Sequence, residues 1–239
     1  MGSEFSEKIV LVAGGTGGLG RAVSVAFLEQ GAQVAVTFRH ENEFQVLKDA
    51  AANHATRLFG FNVDVTDPAQ TVDLVKQIVS QSSRLDVLVN TVGGYAGGTP
   101  LWELDPETFT RMIDLNLRAT YALAKSAVPP MLGRKSGAIV NISSKAAWDH
   151  AAGASAYTST KAAAVALVDS LAADLIGTGV RANSILPSII DTEANRKAMP
   201  NADFSKWPKA EDIAEVVLFL ASDHARVIHG ASIPVFGNA

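Results

Sequence analysis

The chain has no cysteine among its 239 residues, so it forms no disulfide bond and offers no thiolate ligand to a metal. It also lacks any apolar run close to the roughly 20 residues that a membrane-spanning helix needs. Its first residues lack the apolar segment of a signal peptide. These absences fit a reducing compartment, and we expect a cytoplasmic protein with no membrane partner.

Charged residues are also few. They make up 18% of the chain, and the net charge of −4 offers no basic excess for binding a nucleic acid. His54, His150 and His224 show no spacing with carboxylates that suits a metal ion, so no metal is predicted. We expect a small-molecule substrate and no nucleic-acid partner.

The remaining composition is that of one folded unit. Hydrophobic residues make up 48% of the chain, and it contains no linker, repeat or low-complexity segment. We expect a single domain over residues 1–239, in which residues 1–7 are a tag remnant or disordered. Residues 191–208 are long for a connection in such a domain. They are predicted to form a substrate loop, with a passive surface loop as the alternative.

Short apolar, β-rich runs alternate along the chain with helix-like stretches. Because the strands are apolar and the elements alternate, the pattern predicts a doubly wound parallel sheet of the Rossmann type, with about seven strands and helices on both faces. The predicted strands are 9–13, 33–38, 57–61, 87–90, 138–142, 181–186 and 232–236. The predicted helices are 18–30, 41–53, 68–80, 106–131, 155–176 and 210–221.

The first strand runs into the first helix through a glycine-rich turn. Gly14, Gly18 and Gly20 have the spacing G-x-x-x-G-x-G. Glycine lets the backbone approach a diphosphate closely, and the helix N-terminus then presents free N–H groups and partial positive charge. The turn predicts a dinucleotide site, against the alternative of a merely flexible glycine-rich turn.

The end of the second strand bears on which dinucleotide binds. An acidic residue there would accept hydrogen bonds from the ribose hydroxyls of NAD. This chain has Arg39 and His40 instead, and a guanidinium can bind a 2′-phosphate and stack on adenine. The sequence therefore predicts NADP, with NAD as the alternative. If Arg39 is a solvated surface charge, this preference disappears.

Tyr157, Lys161 and Ser144 form the strongest chemical pattern in the chain. Lys161 follows Tyr157 by one helical turn, so both lie on one helix face. An unperturbed tyrosine has a pKa of about 10, and a nearby positive charge is expected to lower it and make the phenol a usable acid or base. Ser144, thirteen residues upstream, is placed to bind a substrate oxygen; Ser143 is the competing hydroxyl.

Together with Asp64, Asn90, Asn116 and Pro187, these motifs make the chain resemble the classical short-chain dehydrogenases/reductases over nearly its whole length. The resemblance implies a catalytic set of Asn116, Ser144, Tyr157 and Lys161. It also implies that the cofactor contacts Gly14, Thr16, Gly17, Gly18, Leu19, Gly20, Arg39, His40, Asp64, Val65, Asn90, Gly93, Tyr157, Lys161, Pro187, Ile190 and Thr192.

Two segments depart from the usual family pattern. The usual Asn-Asn-Ala-Gly reads Asn90-Thr-Val-Gly93, and the usual Pro-Gly reads Pro187-Ser188. Residues 93–98 and 195–207 resemble the corresponding parts of dihydropteridine reductases. Those reductases prefer NADH and carry an acidic residue where Arg39 stands, so the local resemblance and the cofactor prediction point in different directions.

Aromatic side chains are few, at 7% of the chain, but some fall near the predicted site. Tyr95 and Trp148 are the predicted substrate contacts, because flat rings suit an aromatic or pterin ring; core or interface packing is the alternative. Trp207 is a weaker candidate. The predicted helices 106–131 and 155–176 are apolar on more than one face, which predicts a homotetramer, with a homodimer as the alternative.

The sequence thus predicts an NADP-dependent oxidoreductase. It would transfer a hydride between nicotinamide and a carbonyl or pteridine-like C=N/C=O substrate. Two alternatives stay open: an NADH-dependent dihydropteridine reductase, and a non-catalytic NADP-binding regulatory protein. The intact set of four polar residues favours an enzyme, because a cofactor sensor has no need of a positioned acid.

Overall fold

The computed structural model describes residues 4–238. Within them, seven strands form one parallel sheet in the order β3-β2-β1-β4-β5-β6-β7. Strand β1 is fully buried and rich in β-branched residues, as expected of a strand covered on both faces. The strands are β1 (Ile9–Ala13), β2 (Gln33–Phe38), β3 (Leu58–Asn62), β4 (Val87–Asn90), β5 (Gly137–Ile142), β6 (Val180–Pro187) and β7 (Ser232–Val235).

Helices cover both faces of this sheet. Helices α1, α2 and α8 pack on one face, and α3, α5 and α6 pack on the other. The Rossmann-type prediction is confirmed. The helices are α1 (Gly18–Glu29), α2 (Glu41–Ala51), α3 (Pro68–Ser82), α4 (Pro106–Met112), α5 (Ala119–Arg134), α6 (Ser155–Asp174), α7 (Glu193–Ala198) and α8 (Ala210–Ala221).

The predicted helix 106–131 is in fact interrupted. It begins as α4 behind Asp105, whose carboxylate accepts a hydrogen bond of 2.7 Å from the Thr108 N–H. A six-residue π-helical turn, Ile113–Arg118, then separates α4 from α5. The wider turn rotates the following residues relative to a regular helix, and it contains Asn116.

Two further predictions need correction. Helix α2 ends at Ala51 rather than 53, because Ala52 has a φ of 46° that a right-handed helix cannot continue through. In the described part of residues 1–7, Phe5 is buried and its ring lies 5.0 Å from that of Phe27, edge to face, which contradicts disorder there. The tag-remnant alternative stays a prediction. For residues 1–3 the prediction lies outside the described residues.

The order of the strands determines where a ligand can bind. In the sheet β1 lies between β2 and β4, and the chain fills one side with β2 and β3 before it returns to form β4 on the other. A crevice therefore opens at the carboxyl ends of β1 and β4, where the strand order reverses. The glycine turn follows β1, and Asn90 ends β4. In the described part of the chain, no helix is both long and apolar enough to cross a membrane.

Candidate active site

The glycine turn begins at Gly14, which has a φ of 74°. Its N–H donates to Oγ1 of Thr37 on β2 over 2.9 Å, and its carbonyl oxygen accepts from the N–H of Gly17 over 3.1 Å. Helix α1 then begins at Gly18. No side chain caps it, and its first turn carries no acidic residue. Its first N–H groups therefore remain available to an anion.

Two glycines of this turn have no room for a side chain. A Cβ atom on Gly20 would overlap the carbonyl oxygen of Gly14, and one on Gly18 would lie 2.8 Å from Cγ2 of Thr192. Thr192 comes from the segment after β6, so the structure brings the two predicted cofactor segments together. The exposed N–H groups beside glycines without room for a Cβ fit the diphosphate of a dinucleotide.

Arg39 and Asp64 meet at the outer end of the crevice, after β2 and β3. Their side chains form an ion pair of 3.3 Å and are about half exposed. The Thr66 hydroxyl donates to the Asp64 carboxylate over 2.7 Å. This hydrogen bond, and more weakly the Arg39 guanidinium, hold the pKa of Asp64 below its ordinary value. Val65 beside them is buried.

Asn116 joins three segments at the centre of the site. Its Oδ1 accepts from the N–H of Gly94 over 2.9 Å, and its Nδ2 donates to the carbonyl of Gly94 and to Oγ1 of Thr160, each over 3.1 Å. Asn116 is 1% exposed. It therefore fixes the segment after β4 to α6, through Thr160, which the sequence analysis did not single out.

Asn90 fixes the ends of the central strands. Its Nδ2 donates to Oγ1 of Thr120 and to Oδ1 of Asn141 on β5, both over 3.0 Å. Its Oδ1 accepts from the N–H of Val92 over 3.1 Å. These three hydrogen bonds fix the backbone where it leaves β4, shortly before Gly93.

Tyr157 lies in the first turn of α6, and Ser144 follows β5. Burial raises the pKa of Tyr157 above its ordinary value of 10.0, and a hydrogen bond with Ser144 lowers it in part. The prediction of a lowered tyrosine pKa is therefore wrong. The desolvation of a buried phenolate outweighs the favourable contacts.

Lys161 lies one turn further along α6 and is 6% exposed. Its Nζ donates to the carbonyl of Ile142 over 3.2 Å, and burial lowers its pKa to about 8. A Cβ on Gly93 would lie 2.8 Å from this Nζ and 3.0 Å from Oδ1 of Asn116. The glycine thus leaves room for Lys161 and Asn116 to approach one another.

Tyr95 packs directly on Tyr157. The ring centroids are 5.0 Å apart, and the planes meet at 73°. Tyr95 also lines a cavity of about 330 Å³ between residues 95–99 and residues 153–156, and the lining of this cavity does not include Tyr157. Trp148 is about half exposed, four residues after Ser144. Trp207 is buried, and its ring lies 4.9 Å from that of Phe204. It therefore packs inside the 191–208 segment, as the core-packing alternative expects.

The 191–208 segment is held together by its own contacts. Arg196 forms a two-pronged ion pair with Asp191, with N–O distances of 2.5 and 2.7 Å, and its guanidinium lies over the ring of Phe204. The Ile190 carbonyl accepts from Nδ2 of Asn195 over 2.8 Å. The sequence analysis did not anticipate α7 in this segment. Pro187 ends β6, where it pairs with Val235 of β7.

Within residues 4–238, no three His, Cys, Asp or Glu side chains are close enough together to hold a metal ion.

The sequence analysis also missed Glu43. Its carboxylate accepts a hydrogen bond of 3.2 Å from the hydroxyl of Thr16 in the glycine turn. A contact between residues 27 positions apart left no signal in the sequence.

Known proteins share both this sequence pattern and this arrangement. A family model described as short chain dehydrogenase matches residues 8–203. The 3-oxoacyl-[acyl-carrier-protein] reductase FabG of Thermotoga maritima is 29% identical, over 96% of each chain. A solved structure described as ElxO with NADP bound is 30% identical, covers 96% of this chain and 97% of its own, and has a TM-score of 0.91. Levodione reductase is 26% identical over 98% and 97%, with a TM-score of 0.92.

Proposed function

The chain belongs to the short-chain dehydrogenase/reductase family of oxidoreductases, and we propose that it reduces a carbonyl group with NADPH. The observation that carries the proposal is the convergence of Tyr157 with Ser144 and of Lys161 with Asn116. Both pairs lie on segments that follow the carboxyl ends of β4 and β5, next to the glycine turn. A positioned acid beside a dinucleotide-sized crevice is what hydride transfer to a carbonyl requires.

NADP fits the residues present. The uncapped N-terminus of α1 and the glycine turn would hold the diphosphate, Arg39 the 2′-phosphate, and Asp64 with Val65 the adenine. When bound, the reduced cofactor supplies the hydride. The solved structure of ElxO, with NADP bound, supports this choice. The residues proposed to surround the nicotinamide and its ribose are Asn90, Gly93, Tyr157, Lys161, Pro187, Ile190 and Thr192.

The proton comes from Tyr157. Because burial raises the pKa of its phenol above 10.0, the phenol is protonated at neutral pH and acts as a donor. The Ser144 hydroxyl, which is hydrogen-bonded to Tyr157, holds the substrate oxygen next to the phenol. As the oxygen gains negative charge, the phenol proton moves to it. The phenolate that remains is stabilised by Lys161, which is charged below pH of about 8.

Asn116 acts through position rather than contact with the proton. It bonds to Gly94 and to Thr160, the residue before Lys161. It thereby fixes Lys161 relative to the segment that carries Tyr95. In this proposal, Asn116 keeps the lysine charge at a constant distance from the reacting groups.

The proposed substrate is a neutral ketone next to a second polar group. The relatives include a 3-oxoacyl reductase and a levodione reductase, and the cavity of about 330 Å³ that Tyr95 lines is of a size suited to a small molecule. A pteridine-like substrate remains a second candidate, because the exposed ring of Tyr95 lies against Tyr157 and offers a flat wall.

Steady-state oxidation of NADPH and NADH tests the function. The panel contains a β-ketoester, a diketone, an aromatic quinone, dihydrobiopterin and quinonoid dihydropterin. We expect turnover of the β-ketoester or the diketone, faster with NADPH. Fast turnover of quinonoid dihydropterin alone would favour the pteridine candidate. Cofactor binding without oxidation on any substrate would favour the regulatory protein.

Replacing Arg39 by aspartate is expected to lower the preference for NADPH over NADH, measured as the ratio of kcat/KM values, by about 10- to 100-fold. The change removes a charge-assisted bond to the 2′-phosphate and places a carboxylate beside Asp64. The control is Arg226→Asp, the same charge change at the other end of the strands, beside the residues that begin β4, β5 and β6. An unchanged ratio in Arg39→Asp would show that Arg39 does not read the phosphate.

Replacing Tyr95 by alanine is expected to lower kcat/KM for the best substrate by about tenfold, because it removes the ring that packs on Tyr157. An edge-to-face aromatic pair contributes about 0.5–1.5 kcal/mol. Tyr95→Phe keeps the ring and is expected to stay within about threefold of the wild type. If Tyr95→Phe is as impaired as Tyr95→Ala, the hydroxyl rather than the ring acts on the substrate.

The proposed homotetramer, with a homodimer as the alternative, is consistent with apolar side chains exposed on α5. Tyr121 and Leu132 are 44% and 39% exposed in the single chain. Light scattering coupled to gel filtration would decide between these assemblies.

A further inference from the structure

The first turn of α2 reaches the glycine turn. The Thr16 hydroxyl donates to Oε2 of Glu43 over 3.2 Å, and the Glu43 side chain is exposed. A second bond, from the N–H of Gly14 to Oγ1 of Thr37, holds the same turn against β2. The start of α2 therefore borders the crevice at the end where the adenosine of a dinucleotide would lie.

Charged groups from three different elements meet at this end of the crevice. Arg39 follows β2, Asp64 follows β3, and Glu43 lies on α2. Arg39 is already paired with Asp64 over 3.3 Å. Arg39 also lines a surface cavity with Glu107, Arg111 and Asp114. Glu43 adds a further carboxylate on the side of the glycine turn. A 2′-phosphate, with its own negative charge, would meet both the attraction of Arg39 and the repulsion of Glu43.

We propose that Glu43 is a specificity-determining residue that opposes the 2′-phosphate and weakens the preference for NADP over NAD. The inference rests on the proposed dinucleotide site. Because Thr16 fixes the carboxylate on the glycine turn, Glu43 cannot simply swing away without losing that bond. The chain then accepts NADP through Arg39 but keeps measurable affinity for NAD.

The test measures binding rather than turnover. Isothermal titration at low ionic strength gives the Kd of adenosine 2′,5′-bisphosphate and of 5′-AMP, two probes that differ by the 2′-phosphate. Glu43→Gln removes the charge but keeps an acceptor for Thr16. Glu41→Gln is the matched control, since it makes the same charge change in the same exposed helical turn. Thermal unfolding confirms that both variants fold.

We expect Glu43→Gln to tighten binding of adenosine 2′,5′-bisphosphate about fivefold and to leave 5′-AMP within about twofold. Glu41→Gln should leave both within about twofold. Equal tightening of both probes, or equal effects of the two variants, would overturn the role of Glu43 and leave the dinucleotide site standing. Failure of the wild type to bind either probe would overturn the proposed cofactor site, and this proposal with it.

Discussion

Replacing Tyr157 by phenylalanine is expected to lower kcat about 1000-fold and to leave the Kd of NADPH within about twofold. A positioned general acid contributes about 10²- to 10⁴-fold to a rate. In the proposed mechanism that acid is the Tyr157 phenol, whose pKa is raised by burial. The phenylalanine ring keeps the packing against Tyr95. The loss should therefore fall on the chemical step and not on binding or stability.

Tyr121→Phe is the control for this change. Tyr121 is on α5, is 44% exposed, and accepts a hydrogen bond from Lys125 rather than from any residue of the site. The Tyr121→Phe variant should turn over the substrate at the wild-type rate. Measured kcat values for both variants, with NADPH titrated by fluorescence, separate chemistry from binding. Turnover of Tyr157→Phe at a tenth of the wild-type rate or more would show that the proton comes from elsewhere.

Replacing Gly20 by alanine is expected to weaken NADPH binding about 100-fold or more. The added Cβ would overlap the carbonyl oxygen of Gly14, so the turn that presents the N–H groups of α1 must open. The displacement also strains a packed region, and we expect the Tm to fall by roughly 3–10 °C. Fluorescence titration of NADPH and circular dichroism measure the two effects.

Gly133→Ala is the matched control, because a Cβ on Gly133 of α5 meets no atom within 4 Å. Alanine also has the higher helix propensity, so this variant should bind NADPH normally and be slightly more stable. If Gly20→Ala binds NADPH as tightly as Gly133→Ala does, the diphosphate does not lie against the glycine turn.

The strands were the most predictable part of the fold. Residues 9–13, 33–38 and 87–90 form strands with the predicted bounds, because uninterrupted β-branched runs admit few other structures. The interruption of 106–131 was not predictable in this way. The π-helical turn Ile113–Arg118 has helix-forming residues, and what fixes it is the set of bonds from Asn116 to residues distant in the chain.

The candidate site also combines features that the sequence predicts with features that depend on the folded structure. The glycine spacing and the positions of Tyr157 and Lys161 are local patterns, and local geometry follows from them. The pKa of Tyr157 depends instead on how deeply the folded chain buries the phenol, which no spacing reveals. The sequence gives no indication of a role for Glu43 for a similar reason, because only folding brings its carboxylate to the Thr16 hydroxyl.

The most direct test of the account is transfer of deuterium to the best ketone of the panel from NADPH that carries deuterium at both C4 positions. The account predicts product deuterated at the carbinol carbon with the wild type. With Tyr157→Phe it predicts the same labelled product, formed about 1000-fold more slowly. Reduced product without deuterium, or no product while NADPH binds normally, would contradict hydride transfer to a carbonyl as the activity of this protein.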